Sequence, residues 1–202
     1  MAPRASARVP FVGLTGGLGA GKSTALIVLA ELGAATFSTD AAVHDLLTGE
    51  ELRGQIVGRL GPGVLSGGEI DRSAVAAQVF ASPSDRKWLE SVLWPLVGRE
   101  VAAWREGVDA LDEPPVAAVV EVPLLFEAGM EDGFDHTVAV VAGEAVRAER
   151  AGARGHLAVD ERADRQLTQE EKSHRADFTV RNDGTPDELK QQLSRVLASM
   201  RT

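Results

Sequence analysis

The chain contains no cysteine. That excludes disulfides, thiol nucleophiles and thiolate zinc sites, and it makes the cytosol the natural compartment. Long apolar runs are missing too. Val9 to Leu14 is an apolar run, but it is far too short for a signal sequence or a membrane span. Positive charge is scarce: 21 Lys and Arg stand against 30 Asp and Glu, a net charge of −9. A surface of that sign argues against nucleic acid or an anionic membrane as the default partner. A small anionic nucleotide can still be held if the few cations converge. The four histidines, His44, His136, His156 and His174, show no metal-ligand spacing. Asparagine occurs once, as Asn182, and Asp183 and Gly184 follow it, so no guanine-reading N-K-x-D is present. No D-x-x-G, repeat or low-complexity tract occurs either. At 202 residues and 44% hydrophobic content, the chain suits one domain, or one domain with an inserted subdomain.

What is present is decisive at one place. Gly16-Gly17-Leu18-Gly19-Ala20-Gly21-Lys22-Ser23 fits the phosphate-loop pattern G-x-x-x-x-G-K-[ST] without a mismatch. A strand expected over Val9 to Leu14 precedes it, and a helix expected over Lys22 to Leu32 follows. Glycines let successive N–H groups point at phosphate oxygens, and the helix N-terminus adds partial positive charge. In such a loop Lys22 bridges the β- and γ-phosphates, and the Ser23 hydroxyl ligates Mg²⁺.

Beyond the loop, Ala34 to Ser38 reads as a second strand. It delivers Thr39 and Asp40 at its carboxyl end, the edge where ligands bind in open α/β sheets. Helical segments are expected over Ala41 to Leu47, Leu52 to Leu60 and Ser73 to Phe80, with Gly61 to Gly68 as a loop. Ser84 to Val108 reads as a long helix that Pro95 kinks or divides. Its tryptophans, Trp88, Trp94 and Trp104, read as core; the alternative is that one of them packs against a bound substrate. Strands follow at Val116 to Val122, His136 to Val141 and Phe178 to Arg181. They alternate with helices over Gly143 to Ala153, Val159 to Glu171 and Pro186 to Met200. The pattern predicts an α/β fold: a parallel sheet flanked by helices, with a nucleotide-binding core over 9–40 and 116–202. A helical substrate-binding insert is expected over 41–115, and residues 1–8 are expected to be a disordered leader.

A phosphate loop specifies a nucleoside triphosphate rather than a reaction. A small-molecule kinase, a GTPase switch and an ATPase subunit are three readings. The missing guanine motif counts against the switch, and the compact chain counts against the ATPase. A small kinase needs an acceptor base, a substrate insert and an arginine-bearing lid, and each has a candidate here. Asp40 is the candidate base; the alternative is that it only caps the following helix. Arg150 and Arg154, four apart on one helix face, supply the candidate lid, over about 147–172; the alternative is that they pair with Glu149, Asp160 or Glu161 on a solvated face.

The motifs, taken in order, resemble those of the dephospho-coenzyme A kinase family. Leu14 to Thr24 is similar to its phosphate loop. Asp40 with His44 and Leu46 resembles its second acidic motif. Asp71-Arg72 with Val79-Phe80 resembles an Asp-Arg element. Val122-Pro123-Leu124-Leu125-Phe126-Glu127 is the most specific match. Arg162 to Gln166, Lys172, Ala176-Asp177-Phe178 and Asn182-Asp183-Gly184 resemble the C-terminal signature. The chain departs from the family at Ser38, where an aspartate is usual, and at Trp94, where a histidine is usual. The resemblance implies a P-loop kinase fold with a helical lid. It also implies transfer of a phosphoryl group from ATP, with Mg²⁺, to the ribose 3′-hydroxyl of dephospho-coenzyme A in the cytoplasm. Asp40 and Lys22 would then be catalytic. Gly17, Leu18, Gly19, Ala20, Gly21, Lys22, Ser23, Thr24, Arg150, Asn182 and Gly184 would hold ATP, with Ser23 on the metal. Thr15, Asp40, His44, Arg72, Leu124 and Glu127 would meet the acceptor.

Overall fold

The computed structural model describes residues 8–153 and 166–200. These divide into two compact units: Ser38–Trp104, and the chain on either side of it.

The first unit is built on a five-stranded sheet. Its strands are β1 (Phe11–Gly16), β2 (Ala35–Ser38), β5 (Ala118–Glu121), β6 (His136–Val141) and β7 (Phe178–Arg181), in the order β2-β5-β1-β6-β7. β1 runs parallel to β5, with Phe11 opposite Ala118, and parallel to β6, with Val12 opposite His136. β6 runs parallel to β7, with Val138 opposite Phe178. Inner strands of a parallel sheet are covered on both faces, so they need continuous apolar sequence rather than alternation. β5 meets that need from Ala118 to Val120, and all four of its residues, Glu121 included, are buried.

Helices α1 (Lys22–Glu31) and α8 (Pro186–Ser199) bury Val28, Leu29, Leu189, Leu193 and Leu197 in one core with Val12, Val119, Val138, Val140 and Val180. α8 begins where it does because Thr185 caps it: its hydroxyl accepts from Glu188 N, the Glu188 carboxylate returns to Thr185 N, and Pro186 fills the first turn. Two further helices, α6 (Glu144–Ala153) and α7 (Gln169–Arg175), complete this unit.

The second unit holds α2 (Thr39–Thr48), α3 (Glu50–Leu60), a small antiparallel hairpin of β3 (Leu65–Ser66) and β4 (Glu69–Ile70), α4 (Arg72–Ala81) and most of α5 (Pro83–Asp109). Leu47, Leu52, Ile56, Leu60, Val64 and Val75 form its core, with Trp88, Leu89, Val92, Leu93 and Leu96 of α5 packed against them.

Several expectations need correction. β1 starts and ends two residues later than expected, so the strand runs directly into the first glycine of the phosphate loop. The stretch 61–68 is not simply a loop: it carries a 3-10 turn at Pro62–Val64 and strand β3, and β4 pairs back on it. Two glycines at the tip, Gly67 and Gly68, take positive φ and permit the tight reversal. Pro95 does not divide α5, which continues through it for 27 residues. Trp94 is not core: it is 52% exposed, off the stripe that Trp88, Val92 and Leu96 turn inward. The helix expected over Val159 to Glu171 falls largely outside the described residues. Its described start is wrong, because Gln166 to Thr168 is not helical and α7 begins at Gln169 behind a Thr168 capping box. Among the described residues, no helix is long and apolar enough to cross a membrane.

Candidate active site

Four strands of the first unit end on the same edge of the sheet because they run parallel. Their carboxyl ends carry the phosphate loop after β1, Pro123 to Glu127 after β5, Ala142-Gly143 after β6, and Asn182 to Gly184 after β7. This edge is where a parallel α/β sheet offers its ligand crevice.

The phosphate loop is shaped by backbone that only glycine adopts readily. Gly19 has φ +75°, and a Cβ there would come 2.7 Å from the Arg147 carbonyl oxygen. Gly21, at φ +91°, is the N-cap of α1, and a Cβ there would collide with the Asn182 amide. Among the described residues no side chain caps α1, and no acidic residue occupies its first turn. The positive end of that helix is therefore left for an anion.

Two side chains clamp the loop from outside. Arg147 Nε donates to Leu18 O at 2.8 Å, and Asn182 Nδ2 donates to Ala20 O at 2.9 Å. Arg150 Nη1 in turn donates to Asn182 O at 3.1 Å. Lys22 lies across the loop, with Nζ donating to Gly16 O at 3.1 Å and Gly17 O at 3.3 Å. Ser23 and Thr24, in the first turn of α1, are exposed. Asn182 is only 6% exposed, so its clamp on the loop is shielded from water. Removing that amide in Asn182→Ala leaves the Ala20 carbonyl unpaired. We expect a loss of about 1–3 kcal/mol in unfolding free energy by urea titration. A change below roughly 0.5 kcal/mol would mean the amide does not clamp the loop.

Behind the loop lies a charged cluster with little solvent. Lys172 of α7 is fully buried. Its Nζ lies 2.9 Å from Glu127 Oε1 and donates to Pro123 O at 2.7 Å and to Thr15 Oγ1 at 3.3 Å. Burial pulls the Lys172 ammonium below the ordinary lysine range, and the hydrogen bond and charge of Glu127 partly oppose that. Thr15 is wholly buried and also donates to Pro123 O at 3.3 Å. Thr15, a residue expected to meet the acceptor, has its hydroxyl turned into the protein. Glu127 likewise spends Oε1 internally, on Lys172 and on Leu167 N at 2.8 Å. Leu124, between them, is 36% exposed. After β7, Asp183 Oδ1 accepts from Gly143 N, a bond that holds its carboxyl below the usual range. A Cβ on Gly184 would meet Glu188.

In the second unit, Asp40 is exposed in the first turn of α2. It does not cap that helix. Ser38 does, accepting from Ala41 N at 3.4 Å. Ser38 therefore performs a task an aspartate could share, and the Asp40 carboxylate is not committed to capping. Asp71 caps α4, accepting from Ser73 N at 2.9 Å and Ala74 N at 3.2 Å. Arg72 lies with its Nη1 3.5 Å from His44 Nδ1, so the structure brings together two residues expected to meet the acceptor.

Two residues of the first unit make contacts that the sequence did not assign them. Arg147, rather than Arg150 alone, touches the phosphate loop. Its signal was the i, i+3 spacing to Arg150, which places both on one helix face. Lys172 forms the buried hub, and no local pattern links it to Glu127. Arg154 lies outside the described residues. Among the described residues, no group of three or more His, Asp or Glu could hold a metal by itself.

Comparisons with known proteins agree with this geometry. A family model for dephospho-CoA kinase matches residues 10–188. A dephospho-CoA kinase of Deinococcus radiodurans is 36% identical over 202 residues, covering 98% of this chain and 96% of its own. The dephospho-CoA kinase structure from Campylobacter jejuni superposes with a TM-score of 0.67 at 25% identity, covering 94% of this chain and 96% of its own. A shikimate kinase from Bacteroides thetaiotaomicron, 13% identical, shares the fold at a TM-score of 0.50 over 95% of this chain and 98% of its own. The sheet is thus that of the P-loop kinases, and the chain belongs to the dephospho-CoA kinase family.

Proposed function

We propose that this chain transfers the γ-phosphoryl group of ATP to the ribose 3′-hydroxyl of dephospho-coenzyme A, giving coenzyme A and ADP, the last step of coenzyme A synthesis. The carrying observation is the clamped phosphate loop, with the uncapped start of α1 behind it. N–H groups from Gly17 to Thr24 receive the phosphates, and Lys22 moves from its loop carbonyls to the β- and γ-oxygens. The ribose 3′-oxygen bonds to the γ-phosphorus as the bond to the β–γ bridging oxygen breaks. Asp40 takes the hydroxyl proton.

Arg150 supports the ATP side, and Asn182 and Gly184 border the adenine. The Arg72–His44 pair and Leu124 meet the acceptor, with Glu127 anchoring the loop that carries Leu124. The residues also fit Mg²⁺: the Ser23 hydroxyl is a hard oxygen donor at the phosphate end of α1, and ATP phosphates and water would complete its ligands. Bound there, the ion would neutralise phosphate charge. The second unit, 41–115 in the sequence reading, takes the acceptor. A cysteine-free chain that consumes ATP suits the cytoplasm.

The test is ADP release from ATP and Mg²⁺, with dephospho-coenzyme A, AMP, adenosine or water as acceptor. Turnover confined to dephospho-coenzyme A supports the reading. Turnover with another acceptor, or with water alone, overturns it.

A further inference from the structure

Within the first unit, one short helix reaches three of the loops that form the site. Lys172 Nζ has three donors and three partners: the Glu127 carboxylate, the Pro123 carbonyl and the Thr15 hydroxyl. Thr15 immediately precedes Gly16 of the phosphate loop, and Pro123 immediately precedes Leu124. One turn earlier, Gln169 accepts from Ala142 N at 2.9 Å and donates to Ala142 O at 2.8 Å, in the loop after β6. Its Cγ also lies against Gly17, 3.0 Å from where a Cβ would stand. Just ahead of α7, Leu167 N shares the Glu127 oxygen that Lys172 uses.

We propose that Lys172 is a positioning residue for phosphoryl transfer: its buried ammonium fixes the start of the phosphate loop against the loop after β5. A buried ion pair is a poor way to gain stability, because apolar residues of similar volume usually do as well. Among the described residues the second Glu127 oxygen is buried with no hydrogen-bond partner, so this pair is not optimised for stability. What an ammonium provides and a methylene chain does not is direction. Three bonds set the spacing of two loops whose ends must meet the reacting groups. Phosphoryl transfer is governed by such positioning, and a displacement of about 1 Å can lower a rate by about 10²-fold.

This inference rests on the proposed phosphoryl transfer, so wild-type turnover on dephospho-coenzyme A is the internal control. If wild type fails to turn over, the function fails; where it does turn over, the outcomes below bear on Lys172 alone. The double variant Lys172→Met/Glu127→Leu removes both charges and keeps the volume. Its Tm is expected to stay close to wild type. Its kcat is expected to fall roughly 10- to 100-fold, with KM for ATP changed less than about threefold. A double variant with both Tm and kcat at wild-type values makes the pair a space-filler and overturns the proposal. Should it not fold, Glu127→Gln decides. This variant keeps the shape and an acceptor while removing the charge opposite Lys172. A fall in kcat of about threefold or more, at unchanged Tm, supports positioning. An unchanged kcat overturns it.

Discussion

Asp40→Asn is expected to lower kcat by roughly 10²- to 10⁴-fold, with little change in KM for ATP. The substitution is nearly isosteric. It removes the one property the proposed role needs, a carboxylate that accepts a proton. Structural side effects are small, because Asp40 is exposed and Ser38, not Asp40, caps α2. The remaining penalty is the lost attraction between a carboxylate and the first turn of a helix, about 0.3–1 kcal/mol. Steady-state kinetics with both substrates, alongside a melting curve, separates the two effects. A variant with wild-type kcat removes Asp40 from the chemistry.

Lys22→Met is expected to reduce kcat/KM for ATP by about 10²- to 10³-fold. Methionine keeps the length of the stem and deletes the charge. In this structure the ammonium rests on the carbonyls of Gly16 and Gly17, inside the loop it is to serve. A few side-chain torsions carry it from there to a bound triphosphate. The cation touches phosphate in the ground state as well as in the transition state, so KM rises while kcat falls. Asp40→Asn differs in sparing KM. Two hydrogen bonds in a partly exposed loop contribute little to stability, so Tm should hardly move. Loss of activity only in proportion to a lowered Tm would assign Lys22 a structural role instead.

Much of this was legible in the sequence because it is local. The phosphate loop needs its glycines at fixed spacing, and buried parallel strands need apolar runs, as from Ala118 to Val120 and from Val138 to Val141. What escaped was set by distant partners. Nothing near Lys172 announces that Glu127 and Thr15 will surround its ammonium. A lysine on a short charged helix otherwise reads as a solvated one. Thr15 stands beside the phosphate loop in sequence, yet its hydroxyl is drawn inward by Pro123 and Lys172. The hairpin at Leu65 to Ile70 was hidden because glycines signal a reversal without saying whether its arms pair. Trp94 carried the same ambiguity: on a long helix, one residue's displacement from the apolar stripe decides between core and solvent.

The central position of β1 has a consequence for the order of assembly. Both of its neighbours, β5 and β6, come far later in the chain. Thr15 bonds to a residue 108 positions on, and Phe11 N bonds to Asp135, 124 positions on. During synthesis, the first strand and its phosphate loop must therefore wait, unpaired, until most of the chain has left the ribosome. Unit 38–104, whose core draws only on its own residues, can condense in the interval. Loop closure over such a separation slows the last step. The waiting strand is apolar with both edges open, which is the kind of segment that invites chaperone capture or association with another nascent chain.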